Sequence, residues 1–455
     1  MQLTQSFVSL LQEFRCLFTR PSFVSFLALV TGWVLSYRRR FVTELIESSD
    51  CTRKGHHSRY HRFFSAAVWS LDTLCGVLAR LLVKVFLPTG VIELAVDDTL
   101  CRKRGLTVYG TGMHHDPLIS SRAMKLVSWG HDWVVLCLVV RLPFWSPTKV
   151  WALPIAFRLY RNRQGLTKGK KGQKTKAAKG KPKDHRTRPE LAVELISLVS
   201  SWFPERRLLV TGDSAYGGRS VLSKLPGNVD LISHVHPKGA LYAPAPAPRP
   251  SDKGRRRKKG VRLPTMTQWA ADARQPWQTL SFDQFGLHAT LQVKTRQALY
   301  YKAGKDRLLT IVLVHDALGK RPEQMFYCTC LDWDARTILA YYAGRWSIEV
   351  TFENGKQLLG LEDPANRTEM AVKRTAPMAL VLYSLSVLWF HLVGHAHVKF
   401  PHRPWYRKKA EPSFADVLGT LRHQSWLEKK RQVQSKTTLL KKYLAQLLRF
   451  VSRPS

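Results

Sequence analysis

Arg207-Leu-Leu-Val-Thr-Gly212 runs straight into Asp213-Ser-Ala-Tyr216-Gly217-Gly218. The first half reads as a short buried strand that ends on a carboxylate. Upstream, residues 190–202 carry Leu191, Val193, Leu195, Ile196 and Val199 at helical spacing; downstream, residues 219–225 suit a helix and residues 230–235 another strand. Strand, helix, strand in this order implies an α/β layer with parallel pairing, because the crossover returns the chain in the same direction. Acids at the carboxyl ends of buried strands lie at the sheet edge where ligands bind.

An earlier stretch repeats the pattern. After Pro88-Thr-Gly90, the apolar run Val91-Ile-Glu-Leu-Ala-Val96 meets Asp97-Asp98-Thr99. Further strands are expected at residues 106–109, 125–129 and 133–142. Among them lies Gly110-Thr-Gly-Met-His114-His115-Asp116-Pro117. Its His-His-Asp could ligate a metal, but a turn held by its own hydrogen bonds is the simpler reading.

A third carboxylate stands in Tyr342-Ala-Gly-Arg345-Trp-Ser-Ile-Glu349-Val-Thr-Phe-Glu-Asn-Gly-Lys356. On one helix, turning about 100° per residue, Tyr342, Arg345, Glu349 and Lys356 fall within an arc of roughly 60°. The stripe is either a solvated polar face or a metal ligand beside donors suited to phosphate oxygens. Asp97 or Asp98, Asp213 and Glu349 together supply what phosphodiester chemistry needs, hard oxygen ligands for two divalent cations.

The 455 residues include 72 Lys and Arg against 32 Asp and Glu, a formal net charge of +40. That excess favours a polyanionic partner through counterion release, without naming an activity. Hydrophobic content of 45% with 14 Trp, 14 Tyr and 20 Phe requires a folded protein. Seven cysteines without a CxxC fit neither a zinc site nor a disulfide framework, so a reducing cytoplasm is the simplest setting. Residues 22–36 and 379–393 are apolar but shorter than the ~20 residues of a membrane span, so core helices and no membrane partner are expected. The start, Met1-Gln-Leu-Thr-Gln, does not resemble a signal peptide. No GxxxxGK[ST] supports an ATPase.

Residues 1–88 read as a helical module, with Phe7, Leu10, Leu11, Phe14 and Leu17, then Phe64, Val68, Leu71, Leu74 and Leu78, at helical spacing. A basic turn from Arg53 to Arg62, with His56, His57 and His61, is compatible with DNA docking but matches no helix-turn-helix pattern. Residues 161–187 read as a disordered basic loop within residues 89–240. Residues 241–333 form a β-rich insertion behind a flexible, proline-rich and basic linker. Residues 334–398 return to helix: one helix capped by Asp334 and running to about Leu359, then a buried one over residues 370–395. Residues 399–455 are a basic helical region in which Leu439, Leu440, Tyr443, Leu447 and Phe450 share a face.

Tyr342-x2-Arg345-x3-Glu349-x6-Lys356 matches the Tyr-Arg-Glu-Lys signature of a large group of DDE transposases from bacterial insertion sequences. Asp97-x-Thr99 resembles their first acidic motif and Asp213-x-x-Tyr216 their second, over roughly residues 90–395. The resemblance implies an RNase H-like catalytic domain, formed by residues 89–240 and 334–398 around the insertion. In it Asp97, Asp213 and Glu349 bind two Mg2+ ions, with Mn2+ substituting; Asp97 is preferred to Asp98 for the Asp-x-Thr fit. It further implies nicking of the transposon end by water, then joining of the 3′ hydroxyl to target DNA. Tyr342, Arg345 and Lys356 would hold the end's phosphates, and residues 1–88 would bind the DNA end. The implied partners are double-stranded DNA, as transposon ends and target, and a second protomer in the synaptic complex; the implied setting is a bacterial cytoplasm, at the nucleoid. His234 stands where relatives often carry arginine. Some relatives stack a flipped base on an insertion tryptophan, and Trp269 and Trp277 are candidates, although core packing is the simpler role for both. The alternatives are a metal-dependent nuclease of the same fold and a non-catalytic DNA-binding protein derived from a transposase.

Overall fold

The computed structural model describes residues 3–52, 55–121, 123–142, 144–162, 185–247, 256–284, 287–316, 322–400, 404, 409–434 and 444. Helices α1 Gln5–Gln12, α2 Arg20–Leu35, α3 Val42–Ser48, α4 Ser58–Ser65 and α5 Leu71–Phe86 come first. Strands β1 Ile92–Arg102, β2 Gly112–His115, β3 Val127–Leu142 and β4 Ser146–Tyr160 follow, then α6 Arg188–Trp202, β5 Leu208–Gly212, α7 Arg219–Leu222 and β6 Val229–His234. Next are α8 Met266–Ala271, β7 Gln278–Gln284, β8 Leu287–Leu299, α9 Tyr301–Gly304, β9 Leu308–His315 and β10 Gln324–Cys328. Helices α10 Ala335–Gly344, α11 Ser347–Leu359, α12 Glu369–Leu392 and α13 Phe414–Gln434 end the described chain.

These strands make one sheet, ordered β2-β3-β1-β5-β6-β10-β9-β8-β7, with β4 also paired to β3. β1 is antiparallel to β3 and parallel to β5, which is parallel to β6. An antiparallel hairpin joined through a long central strand to a parallel pair is a mixed α/β arrangement consistent with an RNase H-like fold. Strands β7 to β10 continue the same sheet, since β10 pairs with β6.

Four expectations change. The acids do not follow β1 but lie within it, because β3 keeps offering partners (Asp97 opposite Val135, Thr99 opposite Trp133) as far as Arg102. The strands expected at residues 125–129 and 133–142 are one strand, β3, and residues 106–109 form turns. β4 was not read from the sequence; it carries Pro147 and Pro154, residues that disfavour a strand, and the ladder takes up Pro154 at a register shift between Leu136 and Cys137. The single helix expected from Asp334 to Leu359 is two. The Arg345 amide bonds to Tyr342 O at 3.1 Å and the Trp346 amide to Ala343 O at 3.3 Å, an i→i−3 pattern that tightens the chain between α10 and α11. Asp334 does cap α10, accepting from the Thr337 amide. Most of the basic loop over residues 161–187 lies outside the described residues, and so do Leu439, Leu440, Tyr443, Leu447 and Phe450.

The first helices share one apolar core with the sheet. Trp33 Nε1 and Arg40 Nη2 each donate at 2.8 Å, to the carbonyls of Leu359 and Leu358, so α2 and the turn after it brace the end of α11. At the other end of the described chain, α13 meets α1: Ser425 Oγ accepts from the Thr4 amide and Glu428 from the Gln5 amide. α12 is long and apolar enough to cross a membrane, but 89% of its apolar window is buried in the protein.

Arg374 of α12, 9% exposed, donates to the carbonyls of Phe64 (3.3 Å), Ala67 (2.8 Å) and Trp69 around the α4–α5 corner. Arg374→Met keeps the aliphatic stem and leaves those carbonyls without their donor. The expected loss is about 2–4 kcal/mol, read as a lower midpoint in thermal or urea unfolding. An unchanged midpoint would refute the bracket.

Candidate active site

Val96 and Gly212 are neighbours in the parallel ladder, and β5 ends there while β1 continues. The next residue on each strand is an aspartate, Asp97 and Asp213. Gly212 permits the turn that follows: a Cβ there would lie 2.9 Å from Tyr216 Cβ and 3.1 Å from Val96 Cγ1. Within the turn, Asp213 Oδ1 accepts from the Ala215 amide at 2.9 Å. The Asp213 carbonyl accepts from Ser233 Oγ at 2.7 Å.

Arg345 reaches these acids from the joint between α10 and α11. Its Nη1 lies 2.8 Å from Asp97 Oδ2 and its Nη2 3.2 Å from Glu349 Oε1. Gly344 lets the end of α10 come close to the sheet: a Cβ there would meet Glu93 Oε1 at 2.8 Å. Tyr342 packs against Phe326 and His234, with ring centroids 4.7 and 4.9 Å away, so His234 lines the same place. Trp346, 59% exposed, stands at the joint beside Arg345.

Lys356 is set apart. Seven residues beyond Glu349 on α11, it lies about 10 Å further along the helix, and its charge is felt by Cys101 and Asp132 near the far end of β1. Five of the six expected residues thus gather around Asp97, and the sixth extends the line.

Strand alternation turns Asp98 to the opposite face. There Tyr216 Oη donates to Asp98 Oδ1 at 2.6 Å, and Arg188 Nε lies 3.3 Å from Asp98 Oδ2 and 2.5 Å from Asp132 Oδ2. The His-His-Asp segment does not converge either. Asp116 is held by Arg102, Ser128 and the Leu118 amide, His114 is buried near Asp132, and His115 is exposed. Trp269 is 1% exposed with the Arg296 guanidinium 3.5 Å from its ring centroid, and Trp277 is half-buried.

Burial, with the charges of Asp98 and Asp213, pushes the Asp97 carboxyl up to about 7 against the pull of Arg345. Burial likewise raises Asp98 to about 6, together with Asp132 and against Arg188 and the Tyr216 hydroxyl. Tyr342 is pushed up to about 12 by burial, and His234 is lowered by burial and the nearby Arg345. Each shift reflects charge crowded into a poorly hydrated place.

Residues 13–301, well over half of the chain, match the family described as DDE superfamily endonuclease. The chain belongs to this family. No curated protein matches it significantly. DDE endonucleases act on DNA and in general depend on a divalent metal. The family match covers Asp97 and Asp213 and stops short of Glu349.

Do this DDE endonuclease's residues suit a divalent cation? Asp97, whose proton affinity is raised by burial and by the charge of Asp213 beside it, forms with Asp213 a pair of hard-oxygen donors, which fits Mg2+ in kind. Among the described residues, however, no three Asp, Glu, His or Cys side chains converge as a finished ligand set. Glu349 is engaged by Arg345 instead. The contacts of Tyr216 and the exposed Trp346 were not read from the sequence; only the Asp213-x-x-Tyr216 spacing gave a signal for the first.

Between its unfolded pKa of about 3.9 and its folded value, Asp97 binds more protons in the native state. It therefore costs stability as the pH rises through that window. In divalent-free buffer, Asp97→Asn is expected to gain stability on wild type from about pH 5 to about pH 8. Melting curves that shift in parallel over this range would contradict it.

Proposed function

We propose that this DDE endonuclease is a DNA transposase that binds the inverted-repeat ends of an insertion sequence, cleaves them and joins the 3′ ends to target DNA. The observation that carries the reading is the Arg345 bridge. It links Asp97 to Glu349 beside Asp213, so residues far apart in the chain and matching three motifs meet in one place.

In this reading Asp97, Asp213 and Glu349 hold two Mg2+ ions, for which Mn2+ substitutes. When bound, the ions activate the attacking oxygen and stabilise charge on the leaving one. Glu349 joins the set when Arg345 turns from the carboxylates to a phosphate. Arg345 with Tyr342, and Lys356 further along α11, then hold phosphates of the transposon end. Residues 1–88 bind that end, residues 89–240 and 334–398 form the catalytic domain, and residues 241–333 are an insertion into it. The +40 charge suits contact with both the ends and the target. Two protomers pair two ends, at the nucleoid of a bacterial cytoplasm.

The test is incubation of the full chain and Mg2+ with DNA carrying the inverted repeats that flank its gene. End-specific cleavage with joining is expected. Cleavage without joining leaves a nuclease, and binding without either leaves a non-catalytic protein. Asp213→Asn is expected to keep DNA binding and lose cleavage by on the order of a thousandfold or more; retained cleavage removes Asp213 from the site. Arg345→Ala is expected to lower the salt slope of DNA binding by about 1, the mark of one lost phosphate contact. An unchanged slope removes Arg345 from the DNA.

A further inference from the structure

The acid on the other face of β1 has no part in the chemistry above, yet it is closely held. Asp98 accepts from the Tyr216 hydroxyl at 2.6 Å, and Tyr216 is fully buried. Arg188, at the start of α6, bridges Asp98 to Asp132 of β3 and stacks 4.5 Å from the Tyr160 ring centroid. Two separate parts of the fold, α6 and the turn after β5, thus grip one side chain in the middle of β1, and Arg188 ties them to Asp132 of β3.

Two of the three candidate metal ligands, Asp97 and Asp213, lie close to this grip in the chain. On β1 the Asp98 amide donates to Asp97 Oδ1 at 2.9 Å, so the backbone that Tyr216 secures also orients the Asp97 carboxylate. On the other side, Tyr216 closes the turn that begins with Asp213, its amide bonding to the Asp213 carbonyl at 3.1 Å. The ladder between β1 and β5 stops one residue earlier, at Val96 and Gly212. Past that point, among the described residues, no ladder bond between β1 and β5 holds Asp97 beside Asp213, and the Tyr216–Asp98 bond links the two segments that carry them. Gly212 belongs to the device, because a side chain there would push Tyr216 off the strand.

We propose that Tyr216, Asp98, Arg188 and Asp132 form a clamp that sets the spacing of Asp97 and Asp213 from behind the sheet, and so sets how tightly these two carboxylates hold a divalent cation. These are positioning residues. The inference rests on the reading that Asp97 and Asp213 bind the metal. Two cations about 3.5–4 Å apart demand carboxylates held to about half an ångström, which a turn and a strand that has lost its β5 partner do not provide unaided.

Mn2+ binding to the full chain, followed by electron paramagnetic resonance, tests the clamp. Circular dichroism reports folding and a filter-binding assay reports DNA affinity. Tyr216→Phe removes only the hydroxyl; Arg188→Gln loosens the clamp from the partly exposed side, should the first variant fold poorly. Both are expected to weaken Mn2+ binding 10- to 100-fold, the usual cost of losing a group that orients a metal ligand, with DNA affinity unchanged. The Mn2+ concentration for half-maximal cleavage should rise with it. Asp213→Asn separates the two claims. If Mn2+ binding survives that change, the carboxylate reading fails and the clamp with it. If binding is lost in Asp213→Asn but intact in folded Tyr216→Phe and Arg188→Gln, the clamp alone is overturned.

Discussion

Two adjacent aspartates in the middle of a central strand constrain everything around them. Alternation sends Asp97 and Asp98 to opposite faces of a sheet covered on both sides, so each face needs its own counter-charge. Arg345 supplies it in front and Arg188 behind, with Asp132 as a further acid that Arg188 must also satisfy. The arginines come from α6 and from the α10–α11 joint, and their placement ties the helical layers to the strand. Removing either would leave a carboxylate unpaired where burial already lifts its proton affinity.

The large positive charge is not all directed at phosphates. With 72 cationic residues and 32 acids, most Lys and Arg have no carboxylate to meet, and several are spent on backbone carbonyls instead. Arg374 brackets the α4–α5 corner, Arg422 donates to Val34 O and Ser36 O, and Arg206 to the carbonyls of Leu87, Pro88 and Gly90. Lys294 is buried under three carbonyls, of Trp269, Ala270 and Asp272, each within 3.0 Å. A guanidinium serves this role well because its fork satisfies several acceptors at once. Net charge therefore overstates the surface available to a polyanion, and the residues near Asp97 say more about DNA than the total does.

Legibility in the sequence followed how local the cause was. The β5–α7–β6 alternation was readable because each element carries its own apolar period. Asp213 was placed correctly after its strand for the same reason. The end of β1 was not, since what prolongs it is β3, which lies some thirty residues away in sequence and whose partnership leaves no local mark. β4 was not read, and its two prolines leave a weak strand pattern that is tolerable only with the irregularities in its pairing with β3. The clamp behind Asp98 was beyond reach for a related reason: Tyr216 stood out only by its spacing from Asp213, and Arg188 and Asp132 look like ordinary surface or core residues until topology brings them together.

The break between α10 and α11 is the feature whose cause lies furthest from its sequence. A continuous helix would align Tyr342, Arg345, Glu349 and Lys356 on one stripe; the observed chain instead closes on i→i−3 bonds at Arg345 and Trp346. The tighter turn brings Arg345 down onto Asp97 while α11 carries Glu349 to the other arm of the same guanidinium. Short tightened segments of this kind commonly mark hinges. Here the tightened joint lies between the residue that neutralises the carboxylates and the carboxylate it neutralises on α11. Any exchange of Arg345 between carboxylate and phosphate then needs motion only at this joint. α11 itself can stay fixed, because Trp33 and Arg40 anchor its far end through the carbonyls of Leu359 and Leu358.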